Sequence, residues 1–433
     1  MQKYFLREPC AVLRSSGRLA ILMIAFAANL AVAATCRVTT AGSSGGDGSD
    51  WASQAMDLST ALASATCEEV WVTAGIYKPT SDTDRTISFR PVGGAQIYGG
   101  FAGGETLRSE RDPRVNPTVL SGDIDNNDTG VDGIDADASQ NVGNNSYHVV
   151  YFNAAAATGP ILADTVLDGF VITGGNANGT SSDDLGGGAY CYGQFGTHEC
   201  SPTLRNLSFS GNRAGSGGGL CNDGSFGLSS PTLINVTFNG NAAFNGGAMT
   251  SIGYQGHSSP TFENVTFVGN SATSGGALYN AGYDGTSTML LNNVTFSANS
   301  ADNAGAIYNE AGTATLNNVI AWGDTASIAG AETLNAYSGS LTINDTVMPA
   351  CTNDNTCNNI ITSDPLLGPL QDNGGFTRTQ VPAGSAVDAG NDSTCLADDQ
   401  RGVARPQGSH CDIGAVEVVV DEIFIDGFEV IAS

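Results

Sequence analysis

Four phenylalanines, Phe209, Phe238, Phe267 and Phe296, recur at a constant step of 29 residues. Asn212, Asn241, Asn270 and Asn299 keep the same step, as do Gly218, Gly247, Gly276 and Gly305. Asn206, Asn235, Asn264 and Asn293 make a fourth column, and Leu204, Leu233, Phe262 and Leu291 a fifth. Self-similarity at a period of roughly 20–50 residues restricts a chain to a solenoid, a propeller or an array. A propeller blade takes about 40–45 residues, so this unit is too short for one. Its core reads Leu233-Ile234-Asn235-Val236-Thr237-Phe238, β-branched and aromatic with near-alternation, which is a strand pattern. Helix-length amphipathic patterns are absent between the columns. Two or three short strands per unit make one coil of a parallel β-helix, so the expected fold class is all-β.

Stacking explains why the columns hold these residue types. Successive coils lie about 4.8 Å apart, so each residue touches its own repeat partner above and below. Phe209, Phe238, Phe267 and Phe296 then form an internal aromatic ladder, each ring contributing roughly 2–3 kcal/mol by burial. Asn tolerates a left-handed turn, and its amide both donates and accepts along a stack. Gly-Gly removes Cβ atoms where the backbone turns sharply. The Asn-Val-Thr triplets also match glycosylation sequons, but a stacked column is the better account of them.

Phe267-Val268-Gly269-Asn270, followed by Gly275-Gly276-Ala277-Leu278, resembles the FxxN and GGA[ILV] pair of the polymorphic outer membrane protein repeats. Phe238–Asn241 with Gly246-Gly247-Ala248-Met249 carries the pair again, and Phe296–Asn299 departs by one glycine at Ala304-Gly305-Ala306-Ile307. The resemblance implies a right-handed parallel β-helix at a bacterial surface, with adhesion among the family's roles. The stretch Trp71-Val72 through Tyr98-Gly99-Gly100-Phe101 is similar to the N-terminal part of secreted bacterial β-helix proteins. Asp364–Leu370, Asp372–Gly375, Asp399–Gly402 and Cys411–Glu417 together are similar to the choice-of-anchor domain, which implies an attachment region behind the coils.

The flanks divide the chain further. Arg14 and Arg18 precede an apolar run, Leu19–Ala34, that closes on small residues; this is a secretory signal over residues 1–34. Residues 35–68 are expected to cap the first coil. Trp51, Ala55, Leu58 and Leu62 share one helical face there, with Ser49 or Asp50 as N-cap. Glu69–Val72 is expected as the first strand. The β-helix should span 69–345, with regular coils at about 201–320, followed by C-terminal coils and the anchor-type domain at 346–417. In the tail, 418–433, the even spacing of Phe424 and Phe428 allows both on one face of a strand. The tail resembles an ending of secreted proteins of some Gram-negative bacteria and is expected to act as an address or anchor.

Charge narrows the partners. The formal net charge is −27, only 14% of residues are charged, and the only lysines are Lys3 and Lys78. A nucleic-acid binder needs clustered Lys and Arg, and so does docking on anionic lipid. Both are excluded. The mature chain is expected to have no transmembrane helix and to sit in the medium or on the outer-membrane surface of a Gram-negative bacterium. An oxidising compartment favours disulfides. Cys36/Cys67, Cys351/Cys357 and Cys395/Cys411 are local pairs. Cys191 and Cys221 each follow a glycine cluster and are expected to pair across adjacent coils, with Cys191/Cys200 the alternative.

The candidate chemistry is sparse. Glycoside hydrolysis needs two carboxylates about 5–10 Å apart, and no acidic pair shares a column on adjacent regular coils. No catalytic residue is assigned. His148 reads as a strand residue. Asp123, Asp125, Asn127 and Asp128 alternate over a short loop in a manner that suits Ca²⁺, although a solvated acidic insertion is the plainer reading. Tyr254 and Tyr283 form one 29-residue pair, and Tyr279 and Tyr308 another. Stacked aromatics on one face can hold sugar rings or a protein partner. The expected function is adhesion, or binding of a glycan or protein ligand at a cell surface, without catalysis. The alternative is a polysaccharide lyase or glycoside hydrolase with its site on coils 85–200.

Overall fold

A computed structural model describes residues 35–154, 159–193, 195–196, 198–352 and 355–419. The signal segment and nearly all of the tail lie outside these residues. The chain coils into a right-handed parallel β-solenoid with three sheets of 20, 7 and 6 strands. Every inter-strand pairing in the regular coils is parallel, and the register advances by one repeat. Phe238 pairs with Phe209 and Phe267, Leu233 with Leu204 and Phe262, and Met249 with Leu220 and Leu278.

The phenylalanine column lies wholly inside. Ring centroids of Phe209, Phe238, Phe267 and Phe296 are separated by 4.7, 5.0 and 4.9 Å, with planes within 9° of parallel. The coil spacing of a sheet imposes this distance, and offset stacking makes it favourable. Beside it runs a polar ladder with no exposed surface. Asn212 Nδ2 donates to Asn241 Oδ1, Asn241 to Asn270 and Asn270 to Asn299, at 2.9–3.0 Å. Asn241, Asn270 and Asn299 also donate to the carbonyls of Phe209, Phe238 and Phe267 in the coil before, and Asn212 donates to Ile172 O. These buried polar groups are satisfied by translation of the repeat alone.

The ladder ends on a carboxyl. Asn299 Nδ2 donates to Asp324 Oδ1 at 2.8 Å. The neighbouring column, Gly219, Ala248, Ala277 and Ala306, is continued by Glu332. Asp324 and Glu332 are both buried, and their Oδ2 and Oε2 atoms have no other partner; a proton shared between the two carboxyls would satisfy both. Burial, then the neighbouring Glu332, holds the Asp324 carboxyl well above the usual range. Burial also raises the Glu332 carboxyl.

The N-terminal end differs from the expectation in two respects. The first strand is Thr35–Ser43, which pairs with Glu69–Thr73 and places Cys36 beside Val70. The helix is only Leu58–Ala63, capped by Asp57. Asp50 does not cap it. Its carboxylate accepts the N–H groups of Ala52, Ser53 and Gln54 and so closes a separate turn. Trp51 packs outside the coil on Trp71 and Phe101 at 6.5 and 5.6 Å. The buried Leu58, Ala61 and Leu62 join the interior of the first coil, which covers apolar side chains that have no coil beneath them.

The disulfides are Cys36–Cys67, Cys351–Cys357, Cys395–Cys411 and Cys191–Cys200. The expected Cys191–Cys221 bond is therefore corrected, and Cys221 is a buried free thiol. Its register explains this. Cys221 pairs with Tyr190, and Cys191 pairs with Asn222. One residue of slip puts the two sulfurs on opposite faces of the sheet. Cys191 instead belongs to an inward column with Asn222, Ser251 and Asn280. Cys200 heads the facing column of Ser229, Ser258 and Ser287. Later coils join these columns by hydrogen bonds, Ser229 to Asn222 and Ser287 to Asn280. The disulfide takes the place of that bond.

Residues 364–417 do not separate from the coils. They belong to the same compact unit and lie along the outer face of the short strands. Thr237 Oγ1 donates to Arg378 O, Thr266 Oγ1 to Gln400 Oε1, and Ala415 N to Thr295 Oγ1. The left-handed Asn264 and Asn293 donate to Asp398 O and Asp412 O. An ion pair at 3.0 Å, Arg405 with Glu417, is buried on both sides.

Candidate functional site

The outer face of the seven-stranded sheet is aromatic. Its register aligns Tyr151, Tyr190, Cys221, Thr250, Tyr279 and Tyr308 in one column. Tyr151 and Tyr190 stack at 5.3 Å, Tyr192 meets Tyr190 edge-on at 5.7 Å, and Tyr279 and Tyr308 stack at 5.5 Å. Burial raises the phenol of Tyr151 to about 12 and moves Tyr190 in the same direction, so both rings are neutral at physiological pH.

The turns that follow this sheet carry a second set of rings. Phe195 stacks on Phe226 at 5.6 Å, and Phe226 meets Tyr254 edge-on at 5.4 Å. Tyr283 meets Tyr337 at 5.8 Å. Phe195, Phe226 and Tyr337 are 55%, 42% and 82% exposed. All three have positive φ, at 67°, 58° and 55°. Turns of the same run place Gln255 and Asp284 in that conformation, as polar turns ordinarily do. A bulky aromatic there costs about 1–3 kcal/mol, and such strain concentrates at functional positions.

Among the residues expected from sequence, Tyr254 and Tyr283 therefore join this turn edge, and Tyr279 and Tyr308 lie on the adjoining sheet face. Sequence reading missed Phe195, Phe226 and Tyr337 because they fall off the 29-residue step. Phe226 follows Phe195 by 31 residues, and Tyr337 follows Tyr283 by 54. Coils of different length hide a column that the strand register reveals.

The acidic insertion folds back on itself and on Lys78. Lys78 Nζ bonds Asp123 Oδ2 at 3.1 Å and Asn126 Oδ1 at 2.7 Å. Asp125 Oδ2 accepts from Asn127 Nδ2 and Asn144 N, and Asp128 from Val142 N and Asn145 Nδ2. Asp123 and Asp125 thus share Asn127 as a partner, while Asp128 is held by Val142 and Asn145. Among the described residues no three His, Cys, Asp or Glu side chains converge on a point that could hold a metal. Asp135, which lies outside the expected set, is 2% exposed. Burial and the carboxylate of Asp128 push its carboxyl up to about 8.

A cavity of about 460 Å³ opens between this insertion, the outer strands and the C-terminal segment. Val131, Ile134, Ser208, Asn239 and Phe376 line it, with Arg114, Arg378, Asp132 and Asp372 also on its wall. His148 is buried, and its Nδ1 meets Gly186 O at 3.0 Å. Burial lowers its pKa, and it precedes the strand Val150–Asn153 instead of lying in it as the sequence suggested.

Residues 206–223 and 264–281 match the Chlamydia polymorphic membrane protein (Chlamydia_PMP) repeat. These two stretches are a small part of the chain, and they make the regular coils similar to that repeat. No curated protein matches. Among the described residues no helix is long and apolar enough to cross a membrane, which says nothing of β-barrels.

Proposed function

We propose that the protein is a secreted or surface-exposed binding scaffold. Its aromatic turn edge, from Phe195 and Phe226 through Tyr254 to Tyr283 and Tyr337, holds a glycan chain. The observation that carries this reading is the placement of exposed aromatic rings at left-handed turn positions, where a polar residue is the unstrained choice. The rings give sugar CH faces a flat apolar contact at little side-chain entropy cost. The solenoid repeats that contact along its axis, which suits a polymer. The similarity to a membrane-protein repeat and the secretory signal read from the sequence support a surface or secreted location.

A glycan-array and cell-binding screen with the full chain tests this. Phe226→Ala together with Tyr337→Ala should weaken binding at least about tenfold, given roughly 1–3 kcal/mol per stacked ring, with the melting temperature unchanged or raised. Unchanged binding in that variant would sink the reading. The cavity beside Asp132 and Asp372 favours a second reading, a carbohydrate-degrading enzyme. New reducing or unsaturated ends in polysaccharide digests, lost with Asp132→Asn, would establish it over the first.

A further inference from the structure

Buried polar atoms without a protein partner are unevenly spread. Twelve occur among the described residues, and six of them lie between residues 125 and 176: Asp125 Oδ1, Asp135 Oδ2, Asn141 Oδ1, Asn145 Oδ1, Ser146 Oγ and Asn176 Oδ1. All six are oxygens. Native proteins leave few such atoms, and a concentration of them calls for something that pairs with oxygen.

The amide orientations are not arbitrary. Asn145 Nδ2 donates to Asp128 Oδ2 and to Gly174 O, both at 2.7 Å. Asn141 Nδ2 donates to Gly175 O at 2.8 Å. With the nitrogens so committed, each Oδ1 points elsewhere as a bare acceptor. Asn145 is fully buried, and Asn141 is 8% exposed. Asp135 N donates to Thr173 Oγ1 at 3.0 Å, on the turn that Asn145 and Asp128 also meet, and the Asp128 and Asp135 side chains lie within hydrogen-bond reach of each other. Glycine at position 174 makes the approach possible. A Cβ there would stand 3.0 Å from Asp128 Oδ2 and 3.5 Å from Asn145 Nδ2. Asp123 stands near but is held by Lys78.

We propose that this pocket binds one Ca²⁺ between the carboxylates of Asp128 and Asp135, with the amide oxygens of Asn141 and Asn145 as further ligands. A buried carboxylate, Asp135, facing a half-buried one, Asp128, needs positive charge between them. A proton would satisfy one pair of oxygens and leave the amide oxygens bare. The donor set is all oxygen, without His or Cys, which selects a hard cation. Its ligands come from an irregular loop, and Ca²⁺ tolerates this where Mg²⁺ demands a near-octahedral shell. The Asp324–Glu332 pair lacks this character: backbone N–H groups of Gly323 and Asp324 bond Glu332, no amide oxygen is left bare, and a shared proton suffices. A bound ion would tie the insertion to the Gly174–Asn176 turn and hold the acidic loop on the coils.

Calorimetry and thermal melting on the chelator-stripped full chain test the site, with Ca²⁺ as the probe. Ca²⁺ at about 5 mM, above the range typical of extracellular modules, should raise the melting temperature by several degrees, and Mg²⁺ should do far less. Asp135→Asn should weaken Ca²⁺ binding roughly 10–100-fold, whereas Asp123→Asn should leave it intact. No shift with the wild-type chain overturns the proposal, and so does an unchanged shift in Asp135→Asn. If Asp135→Asn does not fold, Asn145→Ser is read in its place by the same two outcomes.

Discussion

The regular coils at 201–320 and the stretch 125–176 belong to one solenoid but satisfy their buried polar groups in opposite ways. In the first, Asn241 and Asn270 find their partners in the same residue one repeat above and one below. A single buried oxygen, Asn264 Oδ1, is left without a partner there. In the second, coils of unequal length meet. Val166–Asp168 pairs with Gln96–Phe101 on one side, across the intervening insertion, and with Thr203–Arg205 on the other. Only a few residues there, such as Tyr151 under Tyr190 and Leu167 under Leu204, pair with their own kind, and six oxygens stay bare. Translation symmetry solves the hydrogen-bonding problem without further invention. Where it lapses, each buried polar group needs its own partner, and that is where ligand chemistry collects.

The comparison breaks most severely if the ladder is cut. Phe267→Ala removes a fully buried ring stacked on both sides and should cost about 3–5 kcal/mol, read by denaturant unfolding. A loss under about 1 kcal/mol, the range of surface substitutions, would mean that the stack contributes nothing to the core. Asn270→Ala should cost roughly 2–3 kcal/mol, because Asn241 Nδ2 and Phe238 O lose partners they cannot replace from solvent.

A smaller effect, of opposite sign, sharpens the comparison. Asp324 is an acid where the ladder has amides. The pair it forms with Glu332 has folded pKa values above the unfolded ones, so the folded state keeps a proton that the unfolded state releases. Its contribution is fully present below the unfolded carboxylate value, near ~4, and is lost as pH rises toward the raised folded values. Asp324→Asn should therefore raise stability at pH 8 by about 1–2 kcal/mol and change it little at pH 4. Thermal melts at the two pH values check this. An equal effect at both would show that the pair carries no shared proton.

Much of the fold was legible in the sequence because stacking writes itself as a period. Phe209 to Phe296 and Asn212 to Asn299 announced parallel coils, their interior and the turn glycines, since a residue whose only neighbours are its own copies must be the same in each copy. The same logic failed wherever coil length changed. The helix shrank to Leu58–Ala63 because Asp50 and Asp57 each closed their own turn. Cys221 lost Cys191 through one residue of register, which reverses the face of a strand. The aromatic edge required the pairing of Tyr190 with Cys221 and of Phe195 with Phe226 to be known, and no fixed step encodes either. The insertion is the extreme case. Its carboxylates are visible as a run of Asp and Asn, yet Lys78, Gly174 and Asn145, distant in sequence, settle which of them face each other. A period records contacts between equivalent residues, while contacts between unlike residues exist only once the coils have closed around them.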